Sequence, residues 1–233
     1  MGRPHLTLAG PYEFRADDPW LYGAYASELA KKDMPGEEEA KTALAAYSLL
    51  GFDMGWLSPK AAAWFRRYTG TTPSGFREVG GEPVSRTIST PVGKIGLVLF
   101  PEGPVQGKAP SPDQEQAALA AGRALRDTCA LVVGISPWGY VGERDFLPKA
   151  AGIYNVLMGG GEGVGFSHSL SDRRPGLVWL RPDTQGRALS VLEIRQLPGK
   201  NFVWKENETF RAKLEWLGDD VRPDPAMAKI VGE

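Results

Sequence analysis

The chain has 233 residues, enough for one full hydrophobic core or two small domains, and its 27 basic and 28 acidic side chains leave a net charge of −1 without charged blocks. That balance gives no electrostatic support to a general affinity for nucleic acid or anionic membrane, and no apolar run is long enough to span a bilayer. The single cysteine, Cys129, cannot make an internal disulfide; at the entry to an apolar strand it reads as a small core residue.

Leu6 to Ala9 reads as a short strand ended by Gly10-Pro11. Asp17-Asp18-Pro19 opens a helix, and Pro35-Gly36 with three glutamates opens a second, which ends at Gly51 and puts Ala43, Leu44, Tyr47 and Leu50 on one face. Phe52-Asp53-Met54 is a brief strand and Pro59 the first residue of the next helix, whereas Thr69 to Gly81 is polar, glycine-rich and read as loop. Val84 to Ser89 and Lys94 to Phe100 flank a hairpin connection. Pro101 to Pro112 is a proline-rich linker or lid, and Ser111-Pro112-Asp113 caps a following helix.

Two buried strands come next, Ala130 to Ile135 and Ile153 to Met158, joined by a helical crossover around Glu143 to Ala151. Each runs into a loop of small residues, Ser136-Pro137-Trp138-Gly139 and Gly159 to Gly163, at the strand ends where α/β sheets place ligands. Gly165 to Pro175 reads as a polar loop. Leu177 to Leu180 and Ala188 to Arg195 read as strands, Phe202 to Lys205 as an edge strand, and Asp219 to Glu233 as a tail ending in a capped short helix. Strands alternate with helices through most of the chain, so the expected class is α/β in one domain.

In order and spacing these segments resemble the metal-dependent phosphoesterase domain of the bacterial 5'-nucleotidase and UDP-sugar hydrolase family, a calcineurin-like fold. GFDMGWLSPKAAAWF is similar to that family's GFD and Gly-Asn-His-Glu block, TPVGKIGLVLF to its "kIGviG" strand, CALVVGISPWG to its Ser-His segment, and GIYNVLMGGGEG to its Gly-His-x-His segment. The resemblance implies a layered sandwich of two mixed sheets flanked by helices, trimmed at its N-terminus, over residues 6–207, with 208–233 as a C-terminal linker and helix. It also implies a periplasmic or cell-envelope location, although no signal peptide opens the chain.

The departures from the family pattern fall on its metal ligands. Pro11 stands at the Gly-Asp aspartate, Pro59 and Lys60 at the asparagine and histidine of Gly-Asn-His-Glu, and Pro137 at the histidine of Ser-His, while Gly160, Gly161 and Glu162 leave no histidine in the last motif. A two-metal centre needs several oxygen and nitrogen ligands converging on ions about 3.5–4 Å apart. The expected function is therefore a non-catalytic binding or scaffold module, without cofactor or metal, whose former cleft takes a protein partner or small ligand. The alternative is a divergent phosphoesterase with a weaker site rebuilt from Glu162, His168, Asp172 and Asp17 or Asp18.

Individual residues sharpen these expectations. Trp138 and Tyr140 fill the vacated cleft, or, if exposed, mark a partner surface. Glu143, Arg144 and Asp145 read as a solvated helix start. The run Gly159 to Gly165 lacks the lysine and hydroxyl residue of a phosphate loop and reads as a structural turn. Ser167-His168 is not read as a nucleophile and its base, because adjacency in sequence does not by itself produce the hydrogen bond they need. Lys60 is the one substituted ligand position with a positive charge, and it is expected to pair with Glu162, Asp17 or Asp18 if it replaces the lost metals electrostatically.

Overall fold

The computed structural model describes residues 5–11, 13–14, 36–103, 109–170, 176–182, 188–199, 202–218 and 221–232. The helix expected after Asp17-Asp18-Pro19 lies outside them. The fold is α/β, and the chain divides into two compact units, one over Gly81–Leu217 and one over His5–Gly80 with Gly218–Glu233. The single domain expected over 6–207 is thus replaced by a division near Gly80, and residues 210–216, expected to be linker, belong to a sheet.

The smaller unit is a three-stranded parallel sheet, β1 (Leu8–Ala9), β2 (Met54–Leu57) and β3 (Phe76–Glu78), in that order. Between β1 and β2 lies α1 (Glu37–Leu50), its acidic first turn at the positive end of the helix dipole and its end marked by Gly51 at φ 64°. Ala43, Leu44 and Tyr47 pack on the core as expected, but Leu50, in the last turn, is exposed. Ser58 caps α2 (Pro59–Thr69), its hydroxyl accepting from the N–H of Ala61 at 3.0 Å, with Pro59 at the first helical position where its missing N–H costs nothing. Helix α5 (Pro225–Val231) is capped by Asp224 and packs on α1. Strand β3 lies in the stretch expected to be loop. It is held by parallel pairing to β2 and by the buried Phe76 ring, which lies over Gly55, where a Cβ would come within 2.6 Å of it.

The larger unit has a six-stranded sheet in the order β4 (Val84–Thr90), β5 (Gly93–Leu99), β6 (Leu131–Ser136), β7 (Val156–Gly159), β9 (Val178–Arg181), β8 (Phe166–Leu170). β4 and β5 form the expected hairpin; β5, β6, β7 and β9 run parallel; β8 closes one edge antiparallel to β9. Helices α3 (Pro112–Arg126) and α4 (Gly139–Ala150) are the crossovers into β6 and β7, and α3 begins with a reciprocal cap between Ser111 and Gln114. Strand β6 is buried along its whole length, which explains its unbroken apolar run. Cys129 is buried, as expected.

Two side chains tie the crossovers to the sheet. The Tyr154 hydroxyl donates to the carbonyl of Ala118 on α3 at 2.5 Å, across a gap that only Gly122 leaves open. Asn155 Oδ1 accepts from the Val132 N–H at 2.9 Å and from Arg126 at 2.8 Å, so the end of α3 and the start of β6 share one acceptor.

A two-stranded antiparallel ribbon, β10 (Ala188–Ile194) with β11 (Phe210–Trp216), completes the unit. The edge strand expected at Phe202 to Lys205 is irregular chain carrying the buried Trp204. The strand forms after the turn that includes Asn207, which is at φ 63°. Likewise Phe166–Leu170, expected to be loop, is β8, whereas 171–175 lie outside the described residues.

Candidate functional site

The carboxyl ends of β6, β7 and β9 meet at one network. Strand β6 delivers Ser136-Pro137-Trp138 into the first turn of α4, and β7 delivers the glycine loop beginning at Gly160. The first amides of a helix are normally free to bind an anion. Here they are occupied by the glycine loop: the N–H of Gly139 donates to the carbonyl of Gly160 at 3.0 Å, and that of Tyr140 to the carbonyl of Glu162 at 2.7 Å. Glycine is required where the two segments touch. Gly139 is at φ 71°, and Gly163 is at φ 116°, where a Cβ would lie 2.4 Å from that of Tyr140.

Beneath the loop lies an ion pair that sequence reasoning missed. Glu143, expected to be solvated, is fully buried; α4 turns it inward, opposite Arg181 at the end of β9. Its carboxylate accepts from Arg181 Nη1, from the Trp179 indole Nε1 at 3.0 Å and from the Gly160 N–H at 3.0 Å. A guanidinium, an indole N–H and a glycine-loop amide form the donor set of an oxyanion site, and a carboxylate of the chain itself fills it. Burial pushes the Glu143 carboxyl up to about 7, with Arg181, Trp179 and Gly160 pulling the other way.

Arg181 spends its remaining donors on the same loop. Nη2 donates to the carbonyls of Gly161 and Glu162, each at 3.0 Å, and Nε to that of Val164 at 3.0 Å. One buried guanidinium thus spans the loop and fixes its path. The network requires a glycine at 159, where a Cβ would fall 1.9 Å from Glu143 Oε2.

The residues singled out by sequence are distributed as follows. Pro137, Trp138, Tyr140, Gly160, Gly161 and Glu162 gather around this loop. Trp138 is 4% exposed, packs on Phe100 and Phe146, and donates its indole N–H to the carbonyl of Pro101 at 3.1 Å, so it is core and not a partner surface. Tyr140 is half-buried, its ring 5.3 Å from that of Trp179. Glu162 contributes its backbone; its side chain is exposed.

Pro11 and Pro59-Lys60 follow β1 and β2, two parallel neighbours, at the same end of the smaller sheet. Lys60 is exposed and makes no ion pair among the described residues; Asp17, Asp18 and Asp172 lie outside them. Arg144 is exposed and paired with Asp145. Among the described residues, no three His, Cys, Asp or Glu side chains converge to hold a metal ion, and no helix is long and apolar enough to cross a membrane.

His168, weighed as a metal ligand with Asp172 and Glu162, lies 3.4 Å from Glu206 and 3.3 Å from Ser167. The adjacent pair Ser167-His168 is therefore joined, contrary to the sequence expectation.

No family model matches the chain, and no curated protein matches it. Among solved structures, a hypothetical protein from Thermus thermophilus is similar over 58% of this chain and 56% of its own, with 11% identity and a TM-score of 0.39. The chain thus spans little more than half the length of that protein.

Proposed function

We propose that the chain is a metal-free relative of the calcineurin-like phosphoesterase domain of the 5'-nucleotidase family, a layered α/β sandwich in which the strand-end loops serve as a binding or scaffold surface. The observation that carries this reading is where the departures fall. Pro11, Pro59-Lys60, Pro137 and Gly160 each follow the carboxyl end of a parallel strand, the place where such a fold positions ligands, and none offers a metal-binding side chain of the family's kind. The donors gathered at β6, β7 and β9 are already bonded to Glu143 and to the glycine loop, which supports a structural use of that end of the sheet.

In this reading a protein partner or small ligand meets the exposed rim of the loop, where Val164 and, on α4, Val141 are 66% and 53% exposed. The family's periplasmic or cell-envelope location is part of the same proposal. Hydrolysis of nucleoside monophosphates and of a bis-aryl phosphate, measured with added manganese or zinc, tests it. No turnover above that of the metal alone is expected. Turnover that disappears in Glu162→Gln would instead support a rebuilt metal site.

A further inference from the structure

Strand β8 carries an irregularity that changes what its two middle residues can do. Phe166 stands opposite Arg181 and Ser169 opposite Trp179, so Ser167 and His168 together face the single residue Leu180. In a regular strand neighbouring side chains point to opposite faces, and a serine cannot reach the histidine that follows it. A two-against-one bulge breaks the alternation and re-aims a side chain, and bulges concentrate at sheet edges and beside active sites. β8 is an edge strand, and here Ser167 Oγ lies 3.3 Å from His168 Nδ1.

The other imidazole nitrogen is also engaged. His168 Nε2 lies 3.4 Å from Glu206 Oε2, and the ring stands edge-on to Phe210, with centroids 5.4 Å apart at 83°. A carboxylate 3.4 Å from Nε2 favours the proton on that nitrogen, which leaves the Nδ1 lone pair to the Ser167 hydroxyl. Hydroxyl, imidazole and carboxylate stand in series, with the imidazole plane fixed by an aromatic wall. Ser167 and His168 are partly exposed and Glu206 is exposed, so the series is open to solvent.

We propose that Ser167, His168 and Glu206 form a nucleophile, base and orienting carboxylate that cleave small carboxylic esters by way of an acyl-serine. Ser167 Oγ bonds to the ester carbonyl carbon while its proton passes to His168 Nδ1, and the carbonyl π pair moves onto oxygen. Collapse of that intermediate breaks the bond to the alkoxy oxygen, which leaves as the alcohol with the proton from Nδ1. Water then attacks the acyl-serine, giving its proton to Nδ1, and the carboxylic acid departs as the proton returns to Ser167. Glu206, 3.4 Å from Nε2, stabilises the imidazolium that forms. This inference is independent of the proposed function, because it uses neither the strand-end loops nor any metal.

A fluorophosphonate tests it on the unaltered protein. Incubation followed by peptide mapping is expected to find one phosphonyl group on Ser167. His168→Ala is expected to slow labelling about 100-fold, the scale of a lost general base, and Glu206→Gln about tenfold. Hydrolysis of p-nitrophenyl butyrate should disappear in Ser167→Ala. Absence of an adduct on Ser167 in the folded protein, or a labelling rate unchanged by His168→Ala, would overturn the proposal. Neither result depends on Ser167→Ala folding.

Discussion

Glu143 and Arg181 face each other with side-chain exposures of 0% and 3%, an ion pair wholly inside the protein at the carboxyl ends of the central strands. Taking two charges out of water is expensive, and the pair is sustained only because every donor around the carboxylate is used and every N–H of the guanidinium finds a carbonyl or the carboxylate. Removing one partner strands the other. Glu143→Ala or Arg181→Ala is expected to destabilise the protein by about 3–5 kcal/mol in denaturant unfolding above the folded-state value of about 7, where the carboxylate is ionised. Losses under about 1 kcal/mol would mean that the pair does not hold the loop.

Stability should carry the signature of this carboxyl in its pH dependence. The folded-state value of about 7 lies above the ordinary 4.5, so between those values the folded chain holds a proton that the unfolded chain has lost. The stability this contributes is complete below the unfolded value and is lost as pH rises through the folded one. Compared with Glu143→Gln, the wild-type protein should therefore lose stability from pH 4.5 to 7, by at most about 1.4 kcal/mol per pH unit. A gain across that window would show that attraction to Arg181 outweighs burial.

Gly159 offers a steric check on the same network. A Cβ there meets Glu143 Oε2 at 1.9 Å and Arg181 Cγ at 2.9 Å, and neither side chain can withdraw without breaking its bonds. Gly159→Ala should cost about 1–3 kcal/mol, whereas Gly199→Ala, at an exposed glycine with no atom within 4 Å of the new Cβ, should be close to neutral. Equal effects at the two positions would contradict the packing described for residue 159.

Much of the fold is legible in the sequence because its signals are local. Helix caps at Ser58, Ser111 and Asp224, the αL glycine at Gly51 and the apolar runs of β5, β6 and β7 all report on a few neighbouring residues. Strand β11, expected to be linker, carries a local signal as well: Phe210, Ala212, Leu214 and Trp216 alternate with Arg211, Lys213 and Glu215. Strands β3 and β8 carry none, since glycine and serine dominate their surroundings and only pairing with β2 and β9 makes them strands.

The site is hidden for the same reason. Glu143 in the polar run Glu143-Arg144-Asp145 reads as solvated, and its burial is set by Arg181, which lies 38 residues away in sequence. Ser167 and His168 come together only through a bulge, which is a mismatch between two strands and has no signature in one of them. In both places the sequence rule fails where polar groups have been organised at the edge or end of the sheet.

Elemental analysis of the purified chain, dialysed against buffer containing manganese and zinc and then freed of unbound ions, tests the central reading most directly. If the strand-end residues 11, 59, 60, 137 and 160–162 supply no metal ligands, as proposed, no stoichiometric transition metal should remain. About two ions per chain would contradict it, because retention at that level requires a ligand set those residues do not supply.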